Sequence, residues 1–291
     1  GKGLGGSSAI YAMVYIRGSA WDYDNWAALG CEGWAYKDVL PYFKRSEGNV
    51  RGGDDYHGSD GPLTVSDQTH PNPGSLEFVE AGASLQLPRN DDFNGPQFEG
   101  VGLYQVTQRR GERWTSARAY VEVNRDAGRL HVETGALVER VIFENGRAVG
   151  VELVQGRSRK TIRARRAVIL AGGVFGTAQT LMLSGIGPAE HLRAHGIPVL
   201  VDRPAVGSNL QDHIDYVTTF ETGGTVFAGT NLKTIVTTAG ALWQWIRKRT
   251  GPMTTNYAEA GGFAKSSPDV AVPDLQFHFV PAILEDHGRK M

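Results

Sequence analysis

The order of apolar and polar positions predicts a chain in which helices and strands are mixed. Apolar residues at helical spacing predict helices over 21–29, 37–45, 75–85, 116–123, 189–195 and 232–248. Runs rich in β-branched and aromatic residues predict strands over 101–108, 130–133, 137–143, 148–153, 158–164 and 275–280, with others near Val199, Val217 and Phe263. Since both kinds of element are interspersed without an internal repeat, the pattern indicates an α/β or mixed α+β fold.

The clearest local prediction is a β-hairpin in the middle of the chain. Two alternating runs, 137–143 and 148–153, are joined by Glu144-Asn145-Gly146-Arg147. Asn-Gly favours a type I′ turn, because both central residues of that turn have positive φ.

The longest uncharged run, residues 167–189, is long enough to suggest a membrane span. It contains five glycines before Pro188 together with several hydroxyl side chains, which a spanning helix would not favour. We therefore predict a buried strand over 167–171, a glycine turn, and a helix with Thr177 as its N-cap. No transmembrane segment is predicted.

Composition excludes several classes of protein. Glycine accounts for 38 of the 291 residues, about twice its usual share, and Cys31 is the single cysteine, so no internal disulfide forms. The net charge of -1 gives no reason to expect a nucleic-acid partner. Because glycine is favoured where the backbone needs positive φ or a close approach, its positions are the next question.

Glycines cluster at two places. Residues 1–8 read Gly-Lys-Gly-Leu-Gly-Gly-Ser-Ser and match the dinucleotide fingerprint Gly-x-Gly-x-x-Gly, although no strand precedes it. The alternatives are a nicotinamide-binding Rossmann protein and an ordinary glycine turn capped by serine. The second cluster, Gly172-Gly173, follows the predicted strand at its carboxyl end, where open α/β sheets bind ligands, although a tight strand-to-helix turn explains it equally well.

The sequence lacks the usual motifs of hydrolases and metalloenzymes. There is no Gly-x-Ser-x-Gly nucleophile elbow and no His-Glu-x-x-His. His191 and His195 are spaced i, i+4 on one predicted helix, but no third ligand is evident. No metal site is predicted.

Four segments together resemble the glucose–methanol–choline (GMC) family of FAD-dependent oxidoreductases. Residues 1–18 and 173–187 are similar to the two family signatures, and 107–120 and 206–213 are similar to further family blocks in the expected order. The resemblance implies an incomplete Rossmann-like FAD-binding domain and a substrate-binding domain built on an antiparallel sheet. It assigns 1–61 and 130–215 to the first domain and 62–129 and 216–291 to the second.

The resemblance also implies which residues contact FAD. The stretch that would wrap the pyrophosphate and the flavin ring contains Gly3, Gly5, Gly6, Ser7, Ser8, Tyr11, Ala12, Met13 and Val14. Val138 would present its backbone to the adenine, and Ala171 and Gly172 belong to the second cofactor-binding cluster. A flat cofactor that lies against bare backbone gives these glycines a physical reason, because Cβ atoms would obstruct it.

Two positions depart from the family pattern. Tyr11 stands where members usually carry asparagine, so either the flavin edge is crowded or the phenol takes another role. Ile10 stands where some members carry a histidine bonded covalently to FAD, and since isoleucine cannot form that bond we predict non-covalent FAD.

The implied reaction is oxidation of an alcohol to an aldehyde by hydride transfer to flavin, with a small-molecule alcohol substrate and an unidentified electron acceptor. The family's ADP-binding unit would precede Gly1 and its catalytic histidine would follow Met291, so no catalytic residue is nominated and the chain is expected to be an internal part of a longer protein.

Glu259 either faces a cationic substrate or has a local partner. A cytoplasmic or membrane-surface location is expected, and the alternative is a catalytically incompetent fragment or degenerate homologue.

Overall fold

The computed structural model describes residues 2–220 and 232–282, and it describes only the backbone of 232–237. The described residues form the α-helices α1 (Ala20–Ala28), α2 (Tyr36–Ser46), α3 (Pro73–Ser84), α4 (Gly173–Leu183), α5 (Ala189–Ala194) and α6 (Leu232–Lys248). They also form the strands β1 (Glu47–Asn49), β2 (Leu63–Val65), β3 (Gly100–Leu103), β4 (Gln108–Arg109), β5 (Glu112–Arg113), β6 (Ala136–Glu144), β7 (Arg147–Gln155), β8 (Ser158–Arg163), β9 (Ile186–Gly187), β10 (Val201–Asp202), β11 (Ala260–Ala264) and β12 (Leu275–Phe279). The mixed α/β class is confirmed.

The chain forms two compact units. Of the described residues, 2–130, 218–220 and 232–282 belong to the larger unit, and 131–217 form the smaller unit. The assignment of 1–61 with 130–215 to a FAD-binding domain, and of 62–129 with 216–291 to a substrate-binding domain, stays a prediction about function.

The larger unit is organised around a three-stranded antiparallel sheet in the order β12-β11-β3. Its core contains Phe93, Tyr104 and Phe263, and the rings of Phe98 and Phe263 lie 4.1 Å apart. Every residue of β11 is buried. A Cβ on Gly261 would come within 2.1 Å of the Tyr104 hydroxyl, so glycine is required where the tyrosine crosses the strand.

Local signals explain the helices of the larger unit. Ser19 and Asp22 form a capping box that begins α1. The side chain of Asn72 accepts the Gly74 N–H at 2.8 Å, and Pro73 occupies the first position of α3. These helices, together with α2 and α6, agree with the sequence predictions within a few residues.

The smaller unit contains an antiparallel sheet in the order β6-β7-β8. Asn145 and Gly146 have φ of 50° and 76°, so the predicted type I′ hairpin is confirmed. The Val141 N–H donates to the Ser184 hydroxyl at 2.8 Å, which attaches the end of α4 to β6.

Several predicted elements are wrong. Residues 167–171 form no strand, and Ile169 is 87% exposed, because no described strand of the smaller unit pairs with this run. No strand forms over 130–133 or near Val217, and the predicted strand 101–108 is divided between β3 and β4. Residues 117–121 form a π-helical turn and 122–127 a 3₁₀ turn in place of one α-helix.

The N-cap prediction for α4 is also wrong. Gly172 is the N-cap, and α4 begins four residues before Thr177. The Thr177 hydroxyl lies inside the helix and accepts the Gly172 N–H at 3.1 Å, so it still satisfies a backbone donor at this helix end.

Candidate cofactor-binding segments

The first glycine cluster forms a tight turn at the surface of the larger unit. Gly5 and Gly6 have φ of 89° and 55°, and a 3₁₀ turn follows over Gly6–Ala9. The Ser8 hydroxyl donates to the Gly5 carbonyl at 2.5 Å. These left-handed conformations explain why glycine occupies positions 5 and 6. Gly1 lies outside the described residues.

One side of this segment is bare backbone that faces open space. A Cβ built on Gly3 or Gly6 would meet no atom within 4 Å. Gly3, Ser7 and Ala12 are exposed, and Ile10 is 72% exposed. The segment therefore fits a flat group that lies against exposed peptide, which is the arrangement expected for FAD.

The other side of the segment is fastened to the protein. The Arg113 guanidinium donates to the Tyr11 carbonyl at 2.5 Å and to the Ser8 carbonyl at 3.4 Å. The Ser116 N–H donates to the Ser8 hydroxyl at 2.9 Å. Arg113 and Ser116 belong to the family-like block 107–120, but sequence reasoning nominated neither, because nothing local shows that they contact the glycine turn.

The Tyr11 side chain, which departs from the family pattern, contacts a buried residue. Its hydroxyl hydrogen-bonds with the hydroxyl of Thr107, which is buried. The Thr107 N–H in turn donates to the Met13 carbonyl at 2.8 Å. The phenol thus has a role of its own, because it ties the segment to the interior.

Residues 12 and 13 are held by side chains from elsewhere in the larger unit. The buried Asn256 amide donates to the Ala12 carbonyl at 2.7 Å. The Gln108 amide donates to the Thr254 carbonyl at 2.7 Å and approaches the Met13 sulfur at 3.6 Å. Met13 is buried and has φ of 62°, so a non-glycine residue here adopts the left-handed conformation.

A buried ionic network follows the segment directly. Arg17 donates to the Glu47 carboxylate at 2.5 Å and to the Tyr56 carbonyl at 2.8 Å. His57 contacts Glu47 through Nδ1 at 3.0 Å and Asp92 through Nε2 at 2.9 Å. Hydrogen bonds to Asp92 and Glu47 raise the pKa of His57 to about 9, so the imidazolium is stable at neutral pH.

This network was missed by sequence analysis. Its members are distant in sequence and follow no spacing pattern, and a charged residue in a sequence is ordinarily assigned to the surface. The backbone of Arg17 is also held in place, since its N–H donates to Asn94 Oδ1 at 2.7 Å. The network therefore fixes the chain just beyond the glycine-rich segment.

The smaller unit brings the other predicted residues together. Val138, Ala171 and Gly172 line a cavity of about 380 Å³, whose walls also include Thr177 and Thr180. The wall is mainly apolar, and every residue of the run 167–172 lines it. Such a cavity fits a flat heterocycle such as adenine.

Glu259 has local partners. Its carboxylate is fully buried and accepts the Asn72 N–H at 2.6 Å, the Ser75 hydroxyl at 2.9 Å and the Thr255 hydroxyl at 2.5 Å. It joins the start of α3 to β11 rather than facing solvent.

The His191 and His195 rings lie 4.7 Å apart, and no cluster of three or more His, Cys, Asp or Glu side chains in residues 2–220 and 232–282 could hold a metal ion. Within those ranges, no helix has both the length and the apolar character needed to cross a bilayer.

A family model described as GMC oxidoreductase matches residues 1–215. The chain belongs to the GMC oxidoreductase family. The glycine-led segment, residues 1–18, lies inside the matched range.

Similar GMC-like proteins cover the whole chain. It is 46% identical over 294 residues to an alcohol dehydrogenase [acceptor] of Pseudomonas putida, with 100% of this chain and 53% of that protein covered. It is 42% identical over 289 residues to an oxygen-dependent choline dehydrogenase of Brucella ovis, with 99% and 52% covered. The chain therefore spans about half the length of the curated relatives it matches.

Solved structures of similar fold agree with membership of the GMC oxidoreductase family. A FAD-dependent oxidoreductase from Chaetomium thermophilum superposes with a TM-score of 0.79 at 29% identity, covering 88% of this chain and 48% of that one. A formate oxidase superposes with a TM-score of 0.81 over 97% of this chain and 54% of that one, and at 22% identity it supports the fold alone.

Proposed function

We propose that this chain is part of a FAD-dependent oxidoreductase that oxidises an alcohol to an aldehyde by hydride transfer to flavin. The observation that carries the proposal is the bare backbone at Gly3 and Gly6, open on one face and fastened by Arg113 on the other. The names of the relatives, an alcohol dehydrogenase and a choline dehydrogenase, support the reaction class.

The residues of the larger unit would hold the central part of FAD. Gly3, Gly5 and Gly6, with Ser7 and Ser8, would lie along the pyrophosphate, where the short turn offers backbone N–H groups to phosphate oxygens. The backbone of Tyr11, Ala12, Met13 and Val14 would border the flavin ring. Because Ile10 cannot bond covalently to the ring, we propose that FAD is bound non-covalently.

The cavity of the smaller unit would receive the adenine half. Val138 would present backbone to the base, and Ala171 and Gly172 would border the adjoining part of the cofactor. When bound, FAD supplies the two-electron acceptor for the alcohol carbon. The protein's contribution in these segments is to bind and orient, since no residue of this chain is nominated as the base that takes the alcohol proton.

The substrate proposed is an uncharged alcohol. A quaternary ammonium group would favour a nearby free carboxylate, and Glu259, the carboxylate considered for that role, already accepts three hydrogen bonds. The electron acceptor remains unidentified, and the location proposed is the cytoplasm or a membrane surface. The second candidate, a chain without activity of its own, is favoured by the fact that it spans about half of its relatives.

The test uses the full-length protein that contains this chain. We expect a flavin absorption band that acid precipitation releases into the supernatant, and aldehyde formation from 1-octanol with an artificial electron acceptor. Flavin retained in the acid pellet would contradict non-covalent binding.

A matched pair of glycine substitutions locates the cofactor. Gly6 and Gly30 both have positive φ and open space at the Cβ position, so valine strains the backbone at both. We expect Gly6→Val to lose most of its flavin and Gly30→Val to retain it. Equal flavin content in the two variants would remove the turn from the binding site.

A further inference from the structure

A single exposed tyrosine interrupts a buried loop beside the proposed flavin-binding segment. Thr254, Asn256, Ala258 and Glu259 are all buried. Tyr257, between them, is 53% exposed. A large aromatic side chain is thus presented at the surface by a loop whose other members are mostly turned inward.

The loop holds Tyr257 in a conformation that tyrosine does not favour. Its φ is 66°, in the left-handed region that L-residues with a side chain disfavour. The Tyr257 N–H donates to the Thr255 hydroxyl at 3.0 Å, and that hydroxyl donates to Glu259 at 2.5 Å. Unfavourable backbone that persists because its surroundings fix it is found disproportionately at functional sites.

The position of the loop is set by its neighbour. Asn256 donates to the Ala12 carbonyl at 2.7 Å and accepts from Gln68 at 3.1 Å, so Tyr257 follows directly after a buried contact with the segment. Ala12 is exposed on that segment, and so is Ile10. Tyr257 is therefore the chain neighbour of the residue that holds the exposed Ala12 in place.

We propose that Tyr257 contacts the hydrocarbon part of the alcohol and determines which alcohols are preferred. The inference rests on the proposed function, because it requires the flavin ring to lie along Tyr11–Val14. An aromatic ring offers a rigid apolar face. Met253, also exposed, adds apolar surface in the same loop region, and Glu259, the carboxylate of this loop, is engaged. The site so formed suits an uncharged aliphatic or aryl chain.

The experiment compares three substitutions in the full-length protein. Tyr257→Asn removes the ring and keeps a residue that tolerates positive φ, Tyr257→Phe keeps the ring, and Tyr257→Trp enlarges it. The control is Gln86→Asn, since Gln86 is exposed with φ of 68° and follows α3. For each variant, kcat/KM is measured with ethanol, 1-butanol, 1-octanol, benzyl alcohol and choline, together with bound flavin.

We expect Tyr257→Asn to lower kcat/KM for 1-octanol and benzyl alcohol about tenfold and to leave ethanol within about twofold. Tyr257→Phe and Gln86→Asn should keep the wild-type profile, and Tyr257→Trp should alter the ratio of 1-octanol to ethanol. Bound flavin should be unchanged in all four variants.

Three results would overturn the inference. An unchanged alcohol profile in both Tyr257→Asn and Tyr257→Trp would show that the ring does not contact substrate. An equal loss for every alcohol would indicate a structural role. A loss confined to choline would indicate recognition of a cation. Failure of the proposed function is distinguishable, because the wild-type protein would then lack flavin or fail to oxidise any of the alcohols.

Discussion

Tyr11 stands where the GMC family usually carries asparagine, and its hydroxyl bonds with that of buried Thr107. Removing the phenolic oxygen leaves the Thr107 hydroxyl without that partner. We expect Tyr11→Phe to lower the free energy of unfolding by about 1 kcal/mol, as measured by urea denaturation. The control is Tyr42→Phe on an exposed face of α2. Equal stability of the two variants would show that the Tyr11 hydroxyl contributes nothing.

His57 gives the larger unit a dependence on pH. Its pKa is raised from 6.5 to about 9, chiefly by its hydrogen bonds to Asp92 and Glu47. Because the folded pKa lies above the unfolded value, the contribution is complete below about pH 6.5 and is lost as pH rises through 9. Arg17 also faces Glu47 and stays charged throughout.

The measurement is the urea midpoint from pH 6 to 10. We expect wild-type stability to fall over the alkaline part of this range, and His57→Gln to show a lower but flatter profile. Burial raises the pKa of the Asp92 carboxyl, but hydrogen bonds from His57 and the Asn94 backbone N–H, with the positive charges of His57 and Arg51, together lower it, so its own contribution is lost only as pH falls. Parallel profiles for wild type and variant would contradict the assignment to His57.

At the scale of elements, locally encoded structure was predictable and structure that depends on partners was not. The hairpin at Asn145-Gly146 and the helix α3 carry their turn and cap signals within a few residues. The run 167–171 has the composition of a strand, yet a strand forms only where another strand accepts its hydrogen bonds. Sequence similarity nominated the segment proposed to bind the cofactor, but the side chains that fasten it, such as Arg113 and Asn256, come from distant positions.

The hairpin and α6 allow a test in which only backbone conformation differs. Gly146 in the turn and Gly240 in α6 both have open space where a Cβ would lie, but only Gly146 has positive φ. We expect Gly146→Ala to lower the free energy of unfolding by about 1 kcal/mol. Gly240→Ala should raise it by about 0.5–1 kcal/mol. Destabilisation of similar size in both variants would mean that the positive φ of Gly146 is not what distinguishes the two positions.

At the scale of the whole molecule, the proposed cofactor contacts are divided between two compact units. The glycine segment lies in the larger unit and the cavity at Val138 lies in the smaller. The smaller unit leaves large apolar side chains exposed, including Ile169, which lines that cavity, and Phe175. Because the chain spans about half of its relatives, we expect residues outside it to complete both the apolar packing and the binding of FAD.

This expectation predicts different responses to FAD from the 291-residue chain and from the full-length protein. A ligand that binds only the folded state stabilises it by about 2.7 kcal/mol at a hundredfold excess over Kd. We expect FAD added to deflavinated full-length protein to raise its Tm by several degrees, and to leave the unfolding of the 291-residue chain unchanged. In full-length Gly6→Val the rise should be lost, while Gly30→Val should keep it. If the 291-residue chain shows the full shift, its own two units suffice to bind FAD, and the requirement for residues beyond them is wrong.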